Sequence, residues 1–176
     1  MKSIKEYIAV ITFFLLLVIA VFVEVYNGQK VFVSGDTLSP VAIKYAFKNF
    51  YSINHYYPLW TPWIFSGMPT IHSFLNVSAN YYPHSIMIFL NNLGLPWMWN
   101  FLFHFILSGF GMYVLLKYLK QSKHAAIFGS IGYMIMPYMV VMTAYGHGSQ
   151  IMTASYIPLI LLYLIKSLNH KSLSNY

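Results

Sequence analysis

Apolar residues come in long runs along this chain, and polar ones gather between the runs. The first run, Tyr7 to Tyr26, holds only Thr12 and Glu24 as strongly polar members. At 1.5 Å per residue such a run reaches about 30 Å, the thickness of a bilayer's hydrocarbon layer. A second run, Trp97 to Leu116, carries tryptophans at one end, where interface anchors belong. A third covers Ala125 to Ala144. A fourth runs from about Ser149 to Leu168, although its strongly apolar part, Ile151 to Ile165, is short for a span. The pattern predicts an all-α integral membrane protein with about four transmembrane helices, near 7–26, 97–116, 125–144 and 149–168. Residues 1–176 then form one transmembrane domain. "VIAVFVEVYN" offers no A-x-A cleavage site, so the first run is expected to remain a helix and not to leave as a signal peptide.

The segment 27–96 has a different rhythm. Ser39-Pro40 reads as a helix start, because serine can cap and proline at the first helical position loses no needed N–H. In "VAIKYAFKNFY" Lys44 and Lys48 share one face, while Ile43, Ala46, Phe47 and Phe50 line much of the other. This predicts a short amphipathic helix over 40–50, lying along a membrane surface. Thr61-Pro62 and Gly67 frame about one further helical turn. Ser85 to Leu90 reads as a second short helix. Tyr56, Tyr57, Trp60, Trp63 and Phe65 suit the headgroup zone. The long loop is thus expected to fold as a lid carrying interfacial helices.

Composition strengthens the membrane reading. The chain is 59% hydrophobic and only 7% charged, against roughly 25% charged in a soluble domain. Its formal charge of +7 comes from lysine alone. The absence of arginine removes the bidentate fork that nucleic-acid readout favours, so a nucleic-acid partner is not expected. Cysteine is absent too, which excludes disulfides and thiolate metal sites. Lys2, Lys5, Lys117, Lys120, Lys123, Lys166 and Lys171 all fall on one side if the helices alternate. Lys30, Lys44 and Lys48 fall on the other. By the positive-inside rule the amino end is cytoplasmic, and both the 27–96 loop and the "YGHGSQ" turn face outward.

Candidate chemistry is sparse. Asp36, in "VFVSGDTLSP", is the lone aspartate. It reads either as a turn residue or helix-start charge, or as a general base or cation ligand at the membrane surface. Glu24 is either an interfacial residue or an acid with a task, since acids near a bilayer are functional suspects. His147 sits in the outward turn, level with both. Asn100, His104 and Ser108 fall on one helical stripe, a packing pattern between helices, with a ligand role for His104 as the alternative. Ala125, Gly129 and Gly132 read as a second packing stripe. Pro137 and Pro158 each free a carbonyl one turn earlier, at Tyr133 and Ala154, and so mark kinks or a carbonyl-lined cavity. His55, His72, His84 and His147 form no metal spacing. Asn76-Val77-Ser78 fits a glycosylation sequon. No P-loop, G-x-S-x-G or dinucleotide fingerprint appears.

The segments "SGDTLSP", "YPLWTPWIFSGMPTIHS", "NYYPHSIMIF" and "YGHGSQIMTASYIPLILLYL" together resemble the amino-terminal part of the bacterial YfhO membrane protein family. That family is similar to the GT-C superfamily of polytopic glycosyltransferases. The likeness covers roughly residues 30–165. It implies an enzyme of the cell envelope, in the cytoplasmic membrane, that transfers a sugar from a polyprenyl-phosphate carrier to an extracytoplasmic glycan or lipid acceptor. Asp36 then matches the acid of the first outer loop, which activates the acceptor or helps to hold a divalent cation. His147 matches the G-H turn, near the carrier phosphate. Lys44, with the other loop lysines, and Glu24 complete the expected substrate-binding set. Chains of that kind have many more helices, so 1–176 is expected to be the amino-terminal part of a larger protein, inactive by itself. The competing class is a non-catalytic transporter or assembly component for lipid-linked intermediates.

Overall fold

The computed structural model describes residues 2–63, 65–70 and 81–169. In chain order these form α1 (Lys2–Val21), α2 (Gly35–Asn54), a hairpin of β1 (Trp60–Thr61) and β2 (Met68–Pro69), α3 (Tyr82–Asn92), α4 (Trp99–Tyr118), α5 (Lys123–Met134), α6 (Pro137–Ala144) and α7 (Gly148–Asn169). The protein is mostly helical. Helix α1, helix α4, the α5–α6 stretch and helix α7 are each long and apolar enough to cross a membrane.

Helix α4 is the centre, packing on α1, α5 and α7 and touching α3. Val10, Phe14, Val18, Phe22 and Val25 recur about once per turn and face the core, with the Phe22 ring 4.7 Å from that of Phe105. The other faces of α1 are just as apolar yet exposed, at Ile8, Ile11, Phe13 and Leu16. On α4 the stripe Asn100, His104 and Ser108 is buried. Of the second expected stripe only Gly129 is a packing residue: a Cβ there would come 2.7 Å from Leu116, whereas Gly132 has open space around it.

The two ends of the bundle differ. At one end Tyr113 donates to Glu6 Oε1 at 2.6 Å and Asn169 to the Tyr118 hydroxyl at 3.2 Å. Lys5, Lys117, Lys120, Lys123 and Lys166 belong to this lysine end. At the other end the Trp99 indole donates to the Tyr26 carbonyl at 3.0 Å. From there α2 and the hairpin extend, so this is the loop end.

Several boundaries move from the expected ones. Helix α1 stops at Val21, which puts Glu24 in the following turns and not inside the helix. Helix α2 replaces the predicted 40–50 helix with a longer one that starts at Gly35, so that Asp36 lies in its first turn. The expected helical turn over 61–67 is instead the turn of an antiparallel hairpin, in which Trp60 pairs with Pro69 and Thr61 with Met68. The Trp60 indole lies over Gly67 (φ +111°), where a Cβ would come within 2.7 Å of the ring nitrogen. Only glycine fits there.

The two prolines behave differently. Pro137 breaks its span outright: α5 ends at Met134, Met136 is extended (φ −56°, ψ 148°), and Pro137 opens α6. Proline at a helix start sacrifices no hydrogen bond. Pro158 stays inside α7. The Ala154 carbonyl that it frees accepts the Tyr133 hydroxyl at 2.8 Å, which removes the reason for a break.

Candidate functional site at the loop end

The turn between α6 and α7 fixes one half of the site. Gly146 (φ +92°) ends α6. The Gly146 N–H reaches the Thr143 carbonyl at 3.4 Å, and the His147 N–H reaches that of Met142 at 2.9 Å. This is a Schellman closure, which needs a left-handed residue at the glycine. The His147 carbonyl then accepts the Gln150 N–H at 3.0 Å and opens α7. Gly148 is needed for another reason: a Cβ there would fall 2.3 Å from the Phe101 ring. The two glycines therefore let the backbone turn at His147 between two closely placed helices.

Asp36 arrives from the first turn of α2, where the helix dipole favours a negative charge. Its Oδ2 lies 3.2 Å from Nε2 of His147. Two residues far apart in sequence, both singled out above, thus meet. The pair remains open, with side chains 61% and 40% exposed for Asp36 and His147. At such exposure an ion pair adds no more than about 1 kcal/mol to stability, so its contribution to the fold is small. Nε2 of His147 is thus the ring nitrogen turned to the carboxylate.

The other two expected residues take different places. Glu24 is ion-paired with Lys30. Lys44 lies close enough to His84, on α3, to affect its charge: burial and then the Lys44 ammonium push the His84 pKa below its ordinary value, and Asn100 opposes them. Nδ1 of His84 and Oδ1 of Asn100 are both buried without a good hydrogen bond. They are complementary groups on facing elements, and the Trp97 ring stands edge-on to His84 at 5.5 Å. His72 and the sequon at 76–78 lie outside the described residues. Among the described residues no three His, Asp or Glu side chains gather into a metal shell. Asp36 and His147 alone give a divalent cation fewer ligands than it needs.

One cluster was missed by sequence reasoning. The Tyr81 hydroxyl sits 2.5 Å from Nε2 of His104 and 2.7 Å from the Tyr156 hydroxyl. Burial first, and then the hydrogen bond from Tyr156, push the Tyr81 pKa up, so it stays a phenol. His104 alone of the three carried a signal, as a polar residue on a buried stripe. Comparison with models of known families, with curated proteins and with solved structures returns no match.

Proposed function

We propose that this chain is part of a multi-pass membrane protein that transfers a sugar from a polyprenyl-phosphate carrier to an acceptor outside the cytoplasm. The carrying observation is the Asp36–His147 pair, 3.2 Å apart at the end of the bundle away from most of the lysines. The unpacked apolar faces of α1 and α7, with Ile8, Leu16, Ile160 and Leu164 exposed, need a nonpolar surrounding, and a bilayer supplies it. The positive-inside rule then puts the lysine end in the cytoplasm and the loop end outside. Helix α2, with Lys44 and Lys48 and its aromatic neighbours, lies along the outer surface of the cytoplasmic membrane.

The chemistry follows from what such a transfer requires. The acceptor oxygen attacks the anomeric carbon, the bond from that carbon to the phosphate oxygen breaks, and the electron pair leaves with the phosphate. The acceptor proton goes to a base. Asp36 takes it, directly or through His147, and both side chains are open enough for a bulky acceptor to reach. Lys44 and Lys48 supply positive charge for the departing phosphate. The test is sugar incorporation by Asp36→Asn in cells making the whole gene product. Loss of incorporation at normal expression supports the reading, and incorporation at the wild-type rate removes Asp36 from the mechanism.

A second reading is a non-catalytic carrier or assembly component for lipid-linked glycan intermediates. The break before Pro137 favours it, because a cavity of about 540 Å³ lined by Tyr133, Met136, Tyr138 and Gln150 lies beside that break. Movement of a labelled polyprenyl-phosphate lipid across vesicles, without sugar transfer, would select this reading.

A further inference from the structure

A groove of about 390 Å³ runs along α7 and shares Ser149 and Thr153 with the cavity beside Pro137. Ser149, Met152, Thr153, Tyr156 and Ile160 line it from the helix, and Tyr81 from the segment ahead of α3. Those α7 positions recur at helical spacing on one face, over a length of ~16 Å.

The direction of every hydrogen bond beneath the groove follows from one fixed end. Nδ1 of His104 lies 2.6 Å from the Asn100 carbonyl, which can only accept. Nδ1 therefore carries the proton, and in the neutral ring Nε2 accepts. The Tyr81 hydroxyl, 2.5 Å away, donates to Nε2. The Tyr156 hydroxyl, 2.7 Å from the Tyr81 oxygen, donates in turn. Thr153 gives its proton to the Ser149 carbonyl at 2.9 Å. The Tyr156 and Thr153 oxygens are thus left as acceptors only, between the apolar Met152 and Ile160. Ser149, at the mouth, can act either way.

We infer that this groove holds a membrane lipid with a neutral alcohol head and one apolar chain. The alcohol donates to the Tyr156 oxygen, and the chain lies along Met152 and Ile160. An ionised carboxylate meets lone pairs where it needs protons, and a bare alkane gains no hydrogen bond at all. Ile157, Ile160 and Leu161 are exposed on the same helix, so such a lipid enters sideways from the bilayer. The inference rests on the chain spanning a membrane and not on sugar transfer, and each can fail without the other.

The test uses the whole protein in lipid nanodiscs with a photoactivatable hexadecanol. Labelling is expected within 149–160, and unlabelled hexadecanol is expected to compete at least about five-fold better than palmitate or hexadecane, as one neutral hydrogen bond allows. Met152→Trp, which fills the groove, abolishes labelling, and Tyr156→Phe lowers the preference for alcohol over alkane. The competition arm needs no variant, so a misfolded Met152→Trp leaves the test intact. Equal competition by palmitate or by hexadecane, or a label that lands elsewhere, overturns the inference.

Discussion

The bundle and the α2–hairpin segment are built from similar residues and held by different means. In the bundle Phe14, Leu102, Phe105 and Tyr113 are fully enclosed, and α4 packs on α1, α5 and α7. In the loop-end segment the aromatics stack on one another instead. Tyr51 lies on Tyr57 at 4.7 Å and Phe50 stands edge-on to Tyr56 at 5.5 Å, while Trp60, Trp63 and Phe65 stay more than half exposed. Helix α2 meets the α6–α7 turn through Asp36 and His147. Most enclosed apolar side chains thus lie in the bundle, with Phe47 the exception in α2, and the exposed Asp36–His147 pair sits where the two regions touch.

The most forceful way to break this comparison is to hollow out each region in turn. Phe105→Ala should cost about 3–5 kcal/mol, the usual loss for an enclosed phenylalanine. Tyr57→Ala should cost under about 1 kcal/mol, as surface substitutions do. Denaturant unfolding of the purified protein measures both, and similar losses would erase the distinction.

The site itself should separate function from stability. Asp36→Asn should lower sugar transfer by ~10²-fold or more, the usual worth of a general base. The same variant should change stability by less than about 1 kcal/mol. A protein that loses both together would place Asp36 in the fold and not in the chemistry.

A smaller effect sharpens the account of the two prolines. Tyr133→Phe removes the donor to the Ala154 carbonyl and should cost about 0.5–1.5 kcal/mol, read as a lower Tm. No change would mean that the Pro158 site needs no such partner.

The smallest effect is expected from pH. The folded pKa of His84 lies below its ordinary 6.5, so the unfolded chain takes up the proton first. Its contribution to stability is complete above about 6.5 and is lost as the pH falls below that value. Thermal unfolding at about pH 7.5 and about 5.5 should show the loss, and His84→Gln should flatten it.

The long helices were legible because an apolar run of bilayer length has few other uses. Asp36 stood out because acids are scarce here, and His147 because it sits in a short turn between two apolar runs, yet their contact was not written in either segment alone. Pro137 and Pro158 looked alike in sequence. The hydroxyl that rescues one of them comes from a residue on another helix. The hairpin was hidden because Thr61-Pro62 is a good helix start, and the Trp60 ring over Gly67 exists only once the chain folds back. Tyr81 and Tyr156 gave no signal, since tyrosine is common throughout this chain and the two lie 75 positions apart.

The central claim is that positions 36 and 147 touch on the side of the membrane away from the cytoplasm. Residues 1–176 hold no cysteine, so Asp36→Cys combined with His147→Cys gives the only two thiols within them. In intact cells a short, membrane-impermeant, bifunctional thiol reagent should link the two, and neither single variant should form the internal bridge. Cysteines that react only after the membrane is opened, or that react without linking to each other, would contradict the account.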